Sequence, residues 1–321
     1  MKIKFVSIAL LFLIINYSTM AQPVAVHGQL HVDGIQLKDK NNHAVVLRGM
    51  SFGWHNWWPR FYNADVVKWL HEDWNCSVVR AAMGVEPDGA YLDRPDWSKE
   101  KIKAVIDGAI EEGIYVVIDW HSHNIRLEEA KKFFTEMAKE YGKYPNVIYE
   151  IFNEPERQAW QEVKAYSIEL IKTIRAIDAN NIILVGNPHW DQDIDIVADD
   201  PVTGFSNIMY TVHFYAATHK QSLRHKCDYA LGKKIPIFIS ESAGMEATGD
   251  GQVDDAEWNK WITWAEANKI SWITWSIADK NETCSVVLPS ASSNGHWGEK
   301  DLKESGIKAR QLLRKYAGNN K

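Results

Sequence analysis

The stretch VIYEIFNEP, residues 147–155, ends an apolar run on an amide, a carboxylate and a proline. Runs rich in valine, isoleucine and tyrosine are typical of buried strands. A polar group without a partner is costly to bury, so Asn153 and Glu154 at the end of such a strand predict a shared polar site. Considered alone, Glu154 could equally cap a helix that follows Pro155.

Seven further runs of this kind alternate with stretches of helical period. The eight runs are 45–52, 76–84, 115–123, 147–155, 182–190, 207–215, 236–244 and 271–279. The clearest helix candidates are 98–113, 126–143, 160–179 and 302–318, whereas 190–207 predicts only a short turn or two. Alternating strands and helices indicate a parallel sheet, and eight such units fit a closed (β/α)8 barrel.

The rival fold is an open doubly wound sheet, which usually carries a glycine-rich turn after its first strand. The first run here continues as RGMSFGWHNWW and has no such turn. We therefore predict an α/β fold with a single (β/α)8 TIM barrel. A short β-hairpin in residues 28–49, with its turn at 39–42, is expected before the barrel.

Composition excludes some partners. The chain has 321 residues, of which 45% are hydrophobic, a net charge of -6 and a pI near 6.1. Because it has no basic excess, neither nucleic acid nor an anionic membrane is an expected partner. The 15 tryptophans are a surplus. Their flat apolar faces with one polar edge suit stacking against carbohydrate.

The N-terminus has the form of a secretory signal. Lys2 and Lys4 precede an apolar run at 5–15 that is short for a membrane span, and Ala21 ends a plausible cleavage site. An uncleaved anchor is the alternative that the short run disfavours. We expect a signal peptide at 1–21, a catalytic domain at 22–321, a secreted or periplasmic location, no membrane contact after cleavage, and a monomer.

The three cysteines give an odd number, so at least one is unpaired within the chain. Cys76 opens an apolar run and is expected to be a small buried hydrophobe. A bridge between Cys227 and Cys284 stays open as an alternative.

Polar and aromatic side chains occur at or near the ends of six predicted strands. They are Arg80; Asp119, His121 and His123; Asn153 and Glu154; His213 and Tyr215; Glu241; and Trp275. The active site of a barrel lies at the C-terminal ends of its strands, so these side chains are expected at one rim. Singly, Glu241 could form a structural ion pair with Arg80, and His123 is typical of a hydrogen-bonded loop histidine. Tryptophans inside other elements are expected to pack against helices or in the core: Trp120, Trp258, Trp261, Trp264 and Trp272.

Paired carboxylates across a cleft suit glycoside cleavage, in which one donates a proton and the other attacks the anomeric carbon. Arg80 and the Tyr215 hydroxyl are expected to keep Glu241 ionised by charge and hydrogen bonding. Glu154 has less cationic help and is expected to keep its proton longer. Asn153 is placed to bond a sugar hydroxyl.

The strand ends IFNEP, FISES, DWH, HFY and TWS resemble glycoside hydrolase family 5, the bacterial cellulase branch, from about Leu47 to the chain end. The matching polar set is Arg80, His121, Asn153, Glu154, His213, Tyr215, Glu241 and Trp275. The resemblance implies a retaining mechanism with Glu154 as acid/base and Glu241 as nucleophile. It also implies sugar contacts from Trp57, Trp190, Lys280 and Glu282. The sequence departs from the family pattern at 187–190 and 240–244, which affects subsite detail.

The sequence leaves two other classes of function as alternatives. A zinc hydrolase using His121, His123 and His213 is disfavoured, because the His-x-His motif of barrel amidohydrolases follows the first strand. A non-catalytic carbohydrate-binding barrel is disfavoured because both carboxylates are present. We expect an endo-β-1,4-glucanase acting on β-glucan without cofactor or metal. Cleavage of mannan, mixed-linkage glucan or xyloglucan is the alternative.

Overall fold

Eight parallel strands close into a barrel, and a separate two-stranded antiparallel sheet precedes them. The computed structural model describes residues 22–320, so the predicted signal peptide lies outside the described residues. The small sheet is β1 (His31–Asp33) and β2 (Gln36–Lys38); the barrel strands are β3 (Arg48–Phe52), β4 (Val78–Gly84), β5 (Tyr115–His121), β6 (Val147–Glu150), β7 (Ile182–Val185), β8 (Ile208–Tyr215), β9 (Ile237–Ala243) and β10 (Trp272–Ile277). Each barrel strand pairs with the next in the chain, and β10 closes on β3. The predicted TIM barrel is confirmed.

Helices surround the barrel. They are α1 (Pro23–His27), α2 (Ala64–Glu72), α3 (Pro95–Glu112), α4 (Leu127–Tyr141), α5 (Trp160–Arg175), α6 (Pro188–Asp191), α7 (Ile194–Asp199), α8 (Gln221–Gly232), α9 (Asp255–Ala267) and α10 (Glu304–Tyr316). In α4, Ala130, Phe133, Phe134, Met137 and Tyr141 form the buried stripe, at the spacing of one helical face. The segment 190–207, predicted to form only a short turn or two, contains the end of α6 and the short helix α7, as expected. Within residues 22–320, no helix is both long and apolar enough to cross a bilayer.

The core has two layers. Every residue of the eight barrel strands is buried, and alternate side chains face the barrel interior or the helices. Trp120 packs on Phe133 and Phe134 of α4, with ring centroids 5.5 and 6.4 Å away, so it faces a helix as predicted. The other tryptophans predicted to pack do so, with Trp258, Trp261 and Trp272 fully buried and Trp264 partly buried against the core.

The N-terminal hairpin forms, but its turn lies earlier than predicted. Asp33 pairs with Gln36, so the turn is Gly34-Ile35, and Gly34 has a φ of +61° that suits glycine at the first position of a two-residue loop. The predicted turn at 39–42 is a second reversal that leads to a bridge between residues 38 and 44. Leu30 and Leu37 join the interior cluster of the barrel, so the hairpin region covers the N-terminal end.

All three cysteines are buried and free. Cys76 packs in the core as expected. Cys227 and Cys284 are not joined, so the alternative of a bridge is not realised.

Candidate active site

Arg80 organises the C-terminal mouth of the barrel. It is fully buried in β4. Its guanidinium donates to Glu150 Oε2 at 2.6 Å, to Glu241 Oε2 at 2.9 Å and to Asn153 Oδ1 at 2.6 Å, and lies 3.0 Å from Asp119 Oδ2. These partners come from three strands, since Asp119 lies in β5, Glu241 lies in β9, and Glu150 and Asn153 lie in β6 and just beyond its end. One planar cation therefore fixes the relative positions of four of the neighbouring polar side chains.

The two predicted catalytic carboxylates meet across this mouth. Glu241 lies in β9, and Glu154 lies four residues beyond the end of β6. Oxygens of the two carboxylates lie within 4.8 Å of each other. An approach this close is shorter than the gap that holds a water in inverting glycosidases, and it matches the arrangement of retaining ones. Glu154 does not cap a helix, since α5 begins only at Trp160.

Glu241 has donors on both of its oxygens. Arg80 Nη1 bonds Oε2 at 2.9 Å and the Tyr215 hydroxyl bonds Oε1 at 2.7 Å, as predicted. Burial nevertheless raises the pKa of Glu241, and the negative charge of Glu154 adds to the rise, while His213, Arg80 and Tyr215 oppose it. Both contacts stabilise the ionised form, and the raised pKa makes that carboxylate a better nucleophile once it is ionised.

Glu154 has a cationic partner that the sequence analysis missed. Its Oε1 lies 2.9 Å from Nδ1 of His213, and its Oε2 lies 3.7 Å from Nδ1 of His123. Burial acts to raise the pKa of Glu154, but the hydrogen bond and charge of His213 outweigh it and lower the pKa. The expectation that Glu154 keeps its proton longer than Glu241 is therefore wrong for the carboxyl group by itself. The proton of this site is shared between Glu154 and His213.

The histidines of β5 and its following loop border the cleft. His121 Nδ1 lies 2.7 Å from Asp119 Oδ2, and its ring stacks on Trp275 at 5.1 Å. Burial and the charge of Arg80 hold the pKa of His121 well below its usual range, so the ring is neutral. His123 lies in the loop after β5, as expected, but its Nδ1 has no hydrogen-bond partner; the ring lines the cleft and stacks on Trp54 at 5.9 Å.

Asn153 is fully buried, and one of its two side-chain polar atoms has no partner in the protein. Its Oδ1 accepts from Arg80, whereas its Nδ2 has no partner in the protein. A buried amide donor without a partner is rare, because leaving it unpaired costs about 1–3 kcal/mol. The predicted bond from Asn153 to a sugar hydroxyl stays a prediction, and this unpaired nitrogen is the donor that would make it.

Aromatic side chains flank the carboxylates on two sides. On one side, Trp57 lines a cavity, is 52% exposed and packs on Trp54 at 4.9 Å. Lys280 and Glu282 form an ion pair 2.5 Å long that borders the same cavity. On the other side, Trp190 is 44% exposed and lines a second cavity. An exposed tryptophan presents a flat apolar face with one polar edge, which suits stacking against a sugar ring. Ten of the twelve predicted site residues thus line one or both of these two cavities, whereas Arg80 and Asn153 are fully buried beneath them.

The turn that carries Trp190 has an unusual backbone. His189, Trp190 and Asp191 all have positive φ, at 52°, 56° and 60°. The Trp190 amide donates to the carbonyl of Pro155 at 3.0 Å. The turn is thereby attached to the segment that carries Glu154.

Several site residues escaped sequence analysis. They are Trp54, Glu150, Asp191, His219 and Ser240. Only Glu150 left a recognisable signal, since a carboxylate inside the apolar run VIYEIF needs a buried partner. The others lie in loops, at the end of the short α6 turn or, for Ser240, in a strand, and their residue types are unremarkable there.

The three histidines of the zinc alternative do not form a metal-binding cluster in the described residues. Within residues 22–320, the ring nitrogens of His121, His123 and His213 do not converge on one point, and His213 lies instead among carboxylates. Nε2 of His213 faces Ser240, and Nδ1 faces Glu154. We find no support for metal ligation by the His-x-His motif.

Known proteins resemble this chain along most of its length. A family profile described as cellulase (glycosyl hydrolase family 5) matches residues 38–281. An endoglucanase of Clostridium saccharobutylicum is 44% identical over 299 residues, which are 91% of this chain and 66% of that protein. The chain therefore spans slightly less than two thirds of the length of that relative.

Solved structures are also similar to this chain in fold and sequence. One from Cytophaga hutchinsonii has a TM-score of 0.91 at 45% identity, covering 93% of this chain and 98% of that one. A variant of the catalytic domain of Thermobifida fusca endoglucanase Cel5A, in complex with cellotetraose, has a TM-score of 0.86 at 31% identity, covering 91% and 99%. The chain belongs to the cellulase family, glycosyl hydrolase family 5.

Proposed function

We propose that this protein is a retaining endo-β-1,4-glucanase. The observation that carries the proposal is the approach of Glu154 and Glu241 to within 4.8 Å at the centre of a tryptophan-flanked groove. That separation favours direct attack by a carboxylate over attack by a water held between the two groups. Both carboxylates have the partners that such chemistry needs, which disfavours a non-catalytic sugar-binding barrel.

The reaction takes two displacements. In the first, ionised Glu241 attacks the anomeric carbon, the bond to the glycosidic oxygen breaks, and Glu154 gives that oxygen a proton. The negative charge of Glu241 is lost in the resulting ester. In the second, Glu154 removes a proton from water, the water oxygen bonds the anomeric carbon, and Glu241 leaves as a carboxylate. Arg80 and Tyr215 stabilise Glu241 whenever it is ionised.

The position of Glu154 within the groove supports internal cleavage. Glu154 and Tyr215 line both the cavity of Trp57 and the cavity of Trp190, so sugar-binding surface extends in both directions from the reacting groups. A chain can then bind across the site without presenting an end. The names of the relatives and the cellotetraose complex of the Thermobifida enzyme favour β-1,4-linked glucan as the substrate.

A panel of soluble polysaccharides tests the proposal. We expect carboxymethylcellulose to lose viscosity faster than reducing ends accumulate, with the new ends formed initially as the β-anomer by NMR. Mannan, mixed-linkage glucan and xyloglucan are the comparison substrates, because one hydroxyl or branch decides among them. Cleavage of mannan with carboxymethylcellulose untouched would reject the substrate, and formation of the α-anomer would reject retention.

We also propose that the protein acts outside the cytoplasm. The basic start and apolar run of residues 1–21 support this location, since they have the form of a signal peptide. N-terminal sequencing of the exported protein should begin near Gln22, and retention of the full N-terminus would contradict the proposal.

A further inference from the structure

A buried aspartate lies behind the acid/base pair, outside the sugar groove. Asp191 is fully buried in the α6 turn. Its Oδ1 accepts from the Asn187 amide at 2.6 Å, and its Oδ2 lies 2.6 Å from the Thr211 hydroxyl and 3.3 Å from Nε2 of His213. The direct chemistry of the two displacements makes no use of this carboxyl group.

The hydrogen bonds around His213 determine where its protons are. The Ser240 hydroxyl donates its one hydrogen to Glu150 Oε1 at 2.7 Å. Its 2.9 Å contact with Nε2 of His213 therefore needs a hydrogen on Nε2. Nδ1 lies 2.9 Å from Oε1 of Glu154, and that contact holds one further proton. This proton belongs either to a neutral imidazole and a carboxylic acid, or to an imidazolium and a carboxylate.

We propose that Asp191 is a positioning residue that acts through His213 and determines how firmly Glu154 and His213 hold their shared proton. The inference rests on the proposed role of Glu154 as acid/base. A negative charge on Asp191 lies next to Nε2 and stabilises the imidazolium, so the shared proton is retained to higher pH. A neutral side chain at this position gives no such support.

The protonation of Asp191 fits this role. Burial raises its pKa to about 8, against the opposing effects of His213, the Thr211 hydroxyl and the Asn187 amide. Asp191 thus becomes negative near the pH at which an acid catalyst begins to lose its proton. Its charge then delays that loss, and the pH range over which Glu154 can act as an acid extends upward.

Other charged and titratable groups also face His213. They are Glu150, Glu154 and Glu241, and at longer range Asp119, His121 and His219. All six remain when only Asp191 is changed. A difference between the wild-type protein and Asp191→Asn therefore isolates the charge of this one carboxyl group.

The test is the pH dependence of kcat/KM on two substrates. For cellopentaose, whose leaving group needs a proton, we expect Asp191→Asn to move the alkaline limb down by roughly one pH unit. For 2,4-dinitrophenyl β-cellobioside, whose leaving group departs without a proton, we expect no displacement of that limb. A purely structural defect would lower activity on both substrates without this difference.

Two further variants complete the test. Asp193→Asn changes a carboxyl group near Asp191 in the chain. Because Asp193 bonds Lys226 Nζ at 2.9 Å and does not contact His213, the alkaline limb of this variant on cellopentaose should coincide with that of the wild-type protein. Thr211→Val keeps the carboxyl group of Asp191 and removes a bond that lowers its pKa, so its cellopentaose limb should also move down. Thr211→Val therefore tests the role of Asp191 even if Asp191→Asn does not fold.

The outcomes are distinguishable. Cellopentaose limbs of Asp191→Asn and Thr211→Val that coincide with the wild-type limb would overturn the role of Asp191 while leaving the glucanase proposal intact. An equal displacement on both substrates would overturn it as well. A wild-type protein inactive on both substrates would refute the proposed function and this inference with it.

Discussion

Replacing Tyr215 with phenylalanine should narrow the active pH range from the acid side. The Tyr215 hydroxyl donates to Oε1 of Glu241 at 2.7 Å, and both side chains are buried. Glu241 must be ionised to attack. Without this donor its carboxylate form is less stable, so its pKa rises above the already raised value. The nucleophile then becomes protonated, and inactive, at a higher pH than in the wild-type protein.

The size of this shift follows from the hydrogen bond. A bond to a charged group contributes about 1.5–3 kcal/mol. One pKa unit corresponds to about 1.4 kcal/mol, so the acid limb should move up by about 1–2 pH units. Arg80 still bonds the other oxygen of Glu241, so the nucleophile keeps one of its two donors.

The assay is the pH profile of kcat/KM, which reports the ionisation of the free enzyme. Tyr62→Phe is the matched control, because that buried hydroxyl lies 2.6 Å from the Gly53 carbonyl and contacts neither catalytic carboxylate. We expect Tyr62→Phe to lower stability and leave the acid limb in place. If Tyr215→Phe retains the wild-type limb, the hydroxyl does not stabilise the ionised nucleophile and our reasoning is refuted.

Three further predictions concern the acid, the fold and metals. Glu154→Gln should slow cellopentaose hydrolysis by about 10²–10⁴-fold, and azide should restore turnover of an aryl cellobioside with a good leaving group; a variant as active as wild type would contradict the assignment. Arg48→Met should lower the free energy of unfolding in urea by about 3–5 kcal/mol, because it strands Glu266, now held by two bonds of 2.6 and 2.7 Å; an unchanged midpoint would contradict this. Dialysis against a strong chelator should leave the hydrolysis rate unchanged, since two carboxylates and water suffice; a loss restored by added metal would refute that.

The barrel was predictable because its strands are buried on both faces and therefore form continuous apolar runs. The ends of those strands were not. The fourth run extends to Pro155, whereas β6 ends at Glu150. The amides of Ile151 and Asn153 still donate to neighbouring strands at Leu184 and Trp120, so composition does not reveal where regular pairing stops.

The site was predictable where its side chains lie within strands and unpredictable where it depends on loop conformation. Parallel strands bring Arg80 and Glu241 to one rim whatever the loops do. Asp191 reaches His213 only because the α6 turn has positive φ at three consecutive residues, none of them glycine. The partner of His213 was equally hidden, since which nitrogen faces which acid depends on ring orientation. For this reason the predicted order of the two carboxyl pKa values was wrong.

The bond from the Trp190 amide to the Pro155 carbonyl has a consequence for protein engineering. This bond couples the turn that carries Trp190, a predicted sugar-binding residue, to the backbone segment that carries Glu154. Replacing the β7–α6 segment by that of another member of the family, in order to change product length, would therefore also change the pKa of Glu154. Product profile and pH optimum should change together in such chimaeras, unless the segment between β6 and α5, which carries Glu154 and Pro155, is exchanged along with it.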